Sequence, residues 1–167
     1  MVQKILVAID LSKIAEYVFE QALDLAKSTG ASLMILHVLS PDEEGSPAFS
    51  VFSSICHGSG ENSENLTLYQ KQWELFTKQG LELVRSHAQK AMAAGVRTEF
   101  DQIPGKPGQV ICDLASNWKA DLIVVGCRGH SGFNKLILGS VSNYVLHHAP
   151  CSVLTVQVPV KSKPQSS

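Results

Sequence analysis

Apolar positions along this chain follow two rhythms. Residues 4–10 (KILVAID), 31–38 (ASLMILHV), 122–125 (LIVV) and 152–156 (SVLTV) are short, nearly continuous apolar runs, whereas residues 96–103 (VRTEFDQI) alternate. Continuous runs of this length read as strands buried on both faces, and the alternating one as a less buried strand. Between them the spacing changes to three and four. Ile14, Val18, Ala22 and Leu25 predict a helix that ends at Gly30, with Ser12 where its N-cap should stand. Leu66, Tyr69, Trp73, Phe76, Leu83, Val84, Ala88 and Ala91 share one face of a long helix over residues 65–94, and Gly80 on that face marks a bend or a close packing contact. After a turn at 104–108, Val110, Ile111, Leu114 and Trp118 predict a helix over 107–119. Val141, Tyr144 and Val145 begin a last helix, which Pro150 stops.

Strands alternating with helices predict an α/β domain: a doubly wound, five-stranded parallel sheet with helices on both faces and right-handed crossovers. Two segments stand outside the pattern. Residues 40–65 are rich in Ser, Gly, Pro and acid, with a small apolar island at 49–52. A loop of that length is either a mobile surface insertion or a lid or partner-binding loop. Residues 158–167 read as a flexible tail, which leaves 1–157 as one domain.

Composition narrows the function classes. The chain has 167 residues, 44% apolar and 17% charged, as a globular domain requires. Its formal charge of −1 carries no basic block, so electrostatic capture of nucleic acid is not expected. Cys56, Cys112, Cys127 and Cys151 show neither CxxC spacing nor a disulfide framework. No apolar run approaches a membrane span and the first ten residues enter a strand directly, so the expected location is cytoplasmic.

In doubly wound sheets ligands bind at the carboxyl ends of the strands, where strand order reverses. That makes the loop at residues 10–12 and the loop at 126–140 the candidates. The second holds Gly126, Gly129, Gly132 and Gly139, but no GxxxxGK[ST] occurs and the spacing is wrong for GxGxxG. Gly126 and Gly129 can open the loop so that backbone amides face an anion. Ser140, Val141 and Ser142 would form the first turn of the last helix, whose orphan N–H groups suit a phosphate. Arg128 could add a charge-assisted contact, and His130 lies in the same loop. The alternative is that these glycines only make turns and Ser140 only caps a helix. Asp10 could accept hydrogen bonds from ribose hydroxyls or a base amine, or could be a turn carboxylate. His37 reads as a satisfied core residue, and the adjacent His147 and His148 make a poor chelate. Cys127 could be inert packing or a redox-sensitive thiol.

Gly126-x2-Gly129-x9-Gly139-Ser140 resembles the G-2x-G-9x-G-[S/T] motif of the universal stress protein family. It stands after VVG and before HHAPCSVLTV, and KILVAIDLS and LHV also resemble that family. The resemblance covers residues 2–157 and implies the adenine nucleotide alpha hydrolase-like fold and membership of the ATP-binding branch. It implies that Gly126, Gly129, Gly139, Ser140, Val141 and Ser142 hold the phosphates. By the same resemblance Asp10, with Ala8 nearby, contacts the nucleoside, Val38 contacts adenine through its backbone, and Val125 precedes the first motif glycine. ATP is the implied ligand, with any Mg²⁺ held largely by phosphate oxygens and water. A homodimer through residues 152–156 is the implied assembly, and nucleotide-dependent regulation or sensing in a stress response is the implied role. No catalytic residue or protein metal site is assigned. Two alternatives stand beside this reading: a slow ATP hydrolase or nucleotidyl-transferring enzyme on the same architecture, and a nucleotide-free dimeric interaction module.

Overall fold

The computed structural model describes residues 1–43, 45–47, 63–127 and 138–159. Within them five strands and four helices alternate: β1 (Lys4–Ala8), α1 (Ala15–Thr29), β2 (Ser32–Leu39), α2 (Ser63–Ala93), β3 (Thr98–Pro104), α3 (Pro107–Trp118), β4 (Leu122–Cys127), α4 (Ser140–His148) and β5 (Ser152–Gln157). Every pairing is parallel and the order is β3-β2-β1-β4-β5, so the α/β, doubly wound architecture expected from the alternating rhythms is the one observed.

Side-chain alternation divides the core in two. Ile5, Val7, Leu33, Ile35 and Val124 point to the face covered by α1 and α2, where Val18, Phe19, Ala22, Val84 and Ala88 meet them. Leu6, Met34, Leu36, Ile123 and Val125 point to the opposite face and pack on Ile111, Ala115 and Val145 of α3 and α4. The three central strands are thus buried on both sides, which is why their sequences read as unbroken apolar runs. β3, at one edge, is mostly exposed, in keeping with its alternating sequence.

Two expectations need correction. The first helix does not begin after Ser12: its N-cap position is Ile14, without a side-chain cap. The Asp10 carboxylate accepts the Ser12 N–H at 3.0 Å, and Ala15 N–H bonds the Ser12 carbonyl at 3.3 Å, so a turn occupies residues 10–14 before the helix starts. Ser12 Oγ, expected to cap, is buried without a partner. Leu66, assigned to the buried face of the long helix, is 59% exposed. At 1.5 Å per residue the 31-residue α2 is roughly 46 Å long, whereas the eight-residue β2 it crosses spans only about 26 Å. One end of the helix must therefore project past the sheet. Gly80 makes the close packing contact: a Cβ there would lie 2.4 Å from His37 Nδ1.

Register sets the height of the strand ends. Ala8 lies level with Leu36 on one side and Val125 on the other. The chain leaves β1 toward α1 on one face and leaves β4 toward α4 on the other, which opens a crevice between their carboxyl ends.

Candidate functional site

A cavity of about 390 Å³ occupies that crevice. Ala8, Ile9 and Asp10 line it from the end of β1, Val38 from β2, and Val125 and Gly126 from β4. Gly139, Ser140, Val141 and Ser142 close it from the start of α4. Nine expected site residues (Ala8, Asp10, Val38, Val125, Gly126, Gly139, Ser140, Val141 and Ser142) are therefore brought to one cavity from four separate stretches of sequence. Arg128 and Gly129, together with His130 and Gly132, lie outside the described residues.

The α4 wall is suited to an anion. Gly139 occupies the N-cap position and, among the described residues, no side chain caps the helix, which leaves the amides of the first turn facing the cavity wall. Ser140 is the first helical residue and not the cap. Gly139 has φ −62° and, among the described residues, a Cβ there would meet only Ser142 Oγ at 3.8 Å, so neither its backbone nor its packing against them demands glycine. The room beside it belongs to the cavity. Gly126 differs: a Cβ would sit 2.9 Å from both Ile14 Cδ1 and Val18 Cγ2, so this glycine lets α1 pack closely on β4. Ser142 is buried and its hydroxyl donates to the Gly126 carbonyl at 3.2 Å, tying helix to strand. Its hydroxyl proton thus serves the fold, while its backbone amide remains part of the first turn.

The opposite wall is acidic. Asp10, Asp42 and Glu43 all contribute to the lining. Glu43 accepts the Leu11 N–H at 3.0 Å and pairs with His37 Nε2 at 2.9 Å, and His37 is fully buried. His37 is thus a partnered core histidine, as its position on a buried strand led one to expect. Asp42, Glu43, Ile14, Ala15, Val18, Pro107 and Ile111 were not among the residues expected at the site. Asp42 and Glu43 lie in the stretch whose composition carried no periodic signal, Pro107 was read as part of a turn and helix start, and the others were read only as helix positions. Cys127 is buried at the end of β4. Among the described residues no group of three His, Cys, Asp or Glu side chains could hold a metal ion, and no helix is long and apolar enough to cross a membrane.

Fold and crevice together define a doubly wound α/β domain with a ligand cavity at its topological switch point. The chain belongs to the universal stress protein family, whose model matches residues 1–157. It is 37% identical over 155 residues to universal stress protein Sll1388 of Synechocystis, covering 92% of this chain and 97% of that protein. It is 34% identical over 157 residues to YxiE of Bacillus subtilis, covering 94% and 100%. Among solved structures, UspA from Lactobacillus plantarum superposes with a TM-score of 0.69 at 22% identity, covering 93% of this chain and 97% of that one. A family member from Arabidopsis thaliana with AMP bound gives 0.62 at 22% identity, covering 98% and 96%. One from Archaeoglobus fulgidus in complex with dAMP gives 0.58 at 22% identity, covering 93% and 98%.

Proposed function

We propose that this protein is an ATP-binding member of its family that acts as a nucleotide-dependent regulator or sensor in a stress response. One observation carries the reading: a single cavity joins the Asp10 carboxylate to the uncapped start of α4, so that a polar nucleoside group and an anion can be met at once. The nucleoside would lie against Ala8, Asp10 and Val38, and the phosphates against Gly126, Gly139 and the first turn of α4, Ser140 to Ser142. Arg128 and Gly129 would complete the phosphate loop. The cavity volume falls within the range of small-ligand sites. Family members with AMP and dAMP bound share the fold and support an adenine nucleotide as the ligand class. Any Mg²⁺ would ride on the phosphate oxygens and water, in keeping with its preference for retaining hydration.

We further propose a homodimer through β5. This strand is the sheet edge opposite β3, has no Lys or Pro within it, and leaves Leu154 exposed on the sheet face that carries Val124, while Tyr144 and Leu146 of α4 are exposed as well. Sedimentation equilibrium should show a dimer that Leu154→Arg converts to monomer; a wild-type monomer at tens of micromolar would refute it.

The ligand assignment is tested by calorimetric titration of ATP, ADP and AMP into the wild type and Gly139→Val. Because the described residues leave room at Gly139, the valine should fill the cavity without unfolding the domain. Affinity should fall about 100-fold, or about 2.7 kcal/mol, with an unchanged melting temperature. Equal affinity in the two proteins would remove the phosphate site from this wall. A turnover assay with Mg²⁺ in the same samples separates a regulator from a hydrolase.

A further inference from the structure

Glu43 is built into the cavity wall in a way that the ligand alone does not require. Both carboxylate oxygens are engaged: Oε1 accepts the Leu11 N–H at 3.0 Å and lies 3.0 Å from His37 Nε2, and Oε2 lies 2.9 Å from the same nitrogen. The Glu43 side chain is only 6% exposed. The turn carrying it is equally fixed. Ser40 Oγ accepts the Asp42 N–H at 3.2 Å, the Ser40 carbonyl accepts the Glu43 N–H at 3.3 Å, and the Glu43 carbonyl accepts the Ser46 N–H at 3.0 Å. Ser40 and Ser46 are both buried.

His37 is held just as firmly. Its Nδ1 lies 3.4 Å from Gln102 Oε1 on β3, and its ring meets Phe76 edge-on at 6.4 Å. Gly80 of α2 supplies the room for the ring. A buried carboxylate–histidine pair is a poor device for stability, because desolvation offsets most of the attraction. What this pair does accomplish is geometric. The N–H that Glu43 holds belongs to Leu11, the residue after Asp10, and the Asp10 carboxylate is itself turned onto the Ser12 N–H. The loop presenting Asp10 to the cavity is therefore pinned from outside, by His37 of β2 acting through Glu43, as well as by its own contacts.

We propose that Glu43, oriented by His37, is a positioning residue of the nucleotide site. It fixes the loop between β1 and α1 so that Asp10 meets the ribose hydroxyls, and thereby sets discrimination in favour of the full ribose. This rests on the adenine-nucleotide reading above, with Asp10 at the nucleoside end. The wall it builds comes from residues 40–43, the start of the stretch whose pattern sets this chain apart from a plain alternation of strand and helix.

The test compares AMP with 2′,3′-dideoxy-AMP by calorimetry in wild type, Asp10→Ala, Glu43→Ala, Glu43→Gln and the Asp10→Ala/Glu43→Ala double variant. Wild type should prefer AMP by about tenfold, and Asp10→Ala should reduce the preference to within about twofold. Glu43→Ala should do the same and add nothing in the Asp10→Ala background, since it acts through that loop. Glu43→Gln retains an acceptor for the Leu11 N–H and should restore most of the preference. If Glu43→Ala does not fold, Glu43→Asp takes its place, because it keeps the charge but withdraws the acceptor from Leu11. A Glu43 variant that melts earlier yet keeps the full AMP preference would overturn the proposal alone. Wild-type protein that binds neither nucleotide would overturn the nucleotide reading and this proposal together.

Discussion

The two ends of the sheet are finished in opposite ways. At the amino ends the chain closes on itself. Asp121 Oδ2 accepts the N–H groups of both Gln3 and Lys4 at 2.9 Å, the Asp121 N–H returns to the Lys4 carbonyl, and Lys4 Nζ donates to the Trp118 carbonyl while lying over the Trp118 ring. At the carboxyl ends the polar groups are arranged around a space. A carboxylate stands on one side, the start of α4 on the other, and at Gly139 a Cβ could be added with only an ordinary contact to Ser142 Oγ among the described residues. One end is closed by its own hydrogen bonds. The other is built around a cavity of about 390 Å³.

The largest expected effect comes from the contact that underlies the carboxyl end. A Cβ at Gly80 would meet His37 Nδ1 at 2.4 Å, His37 Cε1 at 2.5 Å and Gln102 Oε1 at 2.7 Å. Gly80→Ala gains helix propensity but overpacks a buried ring, and should destabilise the fold by about 1–3 kcal/mol in chemical denaturation. Ligand affinity should fall with it, since His37 orients Glu43. A neutral or stabilising result would show that α2 can move away from β2 and would weaken the account of the carboxyl end as a fixed frame.

Exchanging the roles of two aspartates sharpens the contrast. Asp10→Ala should weaken nucleotide binding about tenfold, or about 1.4 kcal/mol, with little change in melting temperature. Asp121→Ala should lower the melting temperature and leave affinity unchanged, because it removes the acceptor that secures the start of β1. Titration calorimetry and thermal melts on both variants check this, and the reverse pattern would dissolve the comparison.

The smallest effect concerns pH. Lys90, placed between Glu16 and Glu20, holds the Glu16 carboxyl below its ordinary 4.5, with the His87 contact adding to the shift. A depressed carboxylate contributes stability above its unfolded pKa and loses it as pH falls through the folded value, so the window lies below pH 4.5. Glu16 is 58% exposed, and screening keeps the contribution under about 1 kcal/mol. Melts of wild type and Glu16→Gln should differ slightly near neutrality and converge in acid; a gap that widens in acid would contradict the assignment.

Much of this was legible in the sequence, for identifiable reasons. Strands buried on both faces announce themselves as apolar runs, and the switch-point rule then directs attention to Asp10 and Gly126 before any coordinates are known. Val38 was named by the family resemblance alone, and the register explains its place: with Ala8 level with Leu36, the end of β2 stands beside Asp10. The start of α1 was misplaced because a carboxylate two residues upstream took the Ser12 N–H, a local competition that periodicity does not register. Leu66 was misplaced because apolar spacing names a face but not how far the sheet extends beneath it. Glu43 was missed for a third reason. Its importance comes from His37 and Leu11, six and 32 positions away, and only the folded chain brings them together.

The central claim is that an adenine nucleotide occupies the carboxyl-end cavity, and amide-detected nuclear magnetic resonance tests it most directly. On titration with ATP, shift changes should gather at residues 8–15, 38–43, 125–126 and 139–145, while Gln3, Lys4, Ser32 and Asp121 stay in place. Changes centred on the amino ends, or none at saturating nucleotide, would contradict the account.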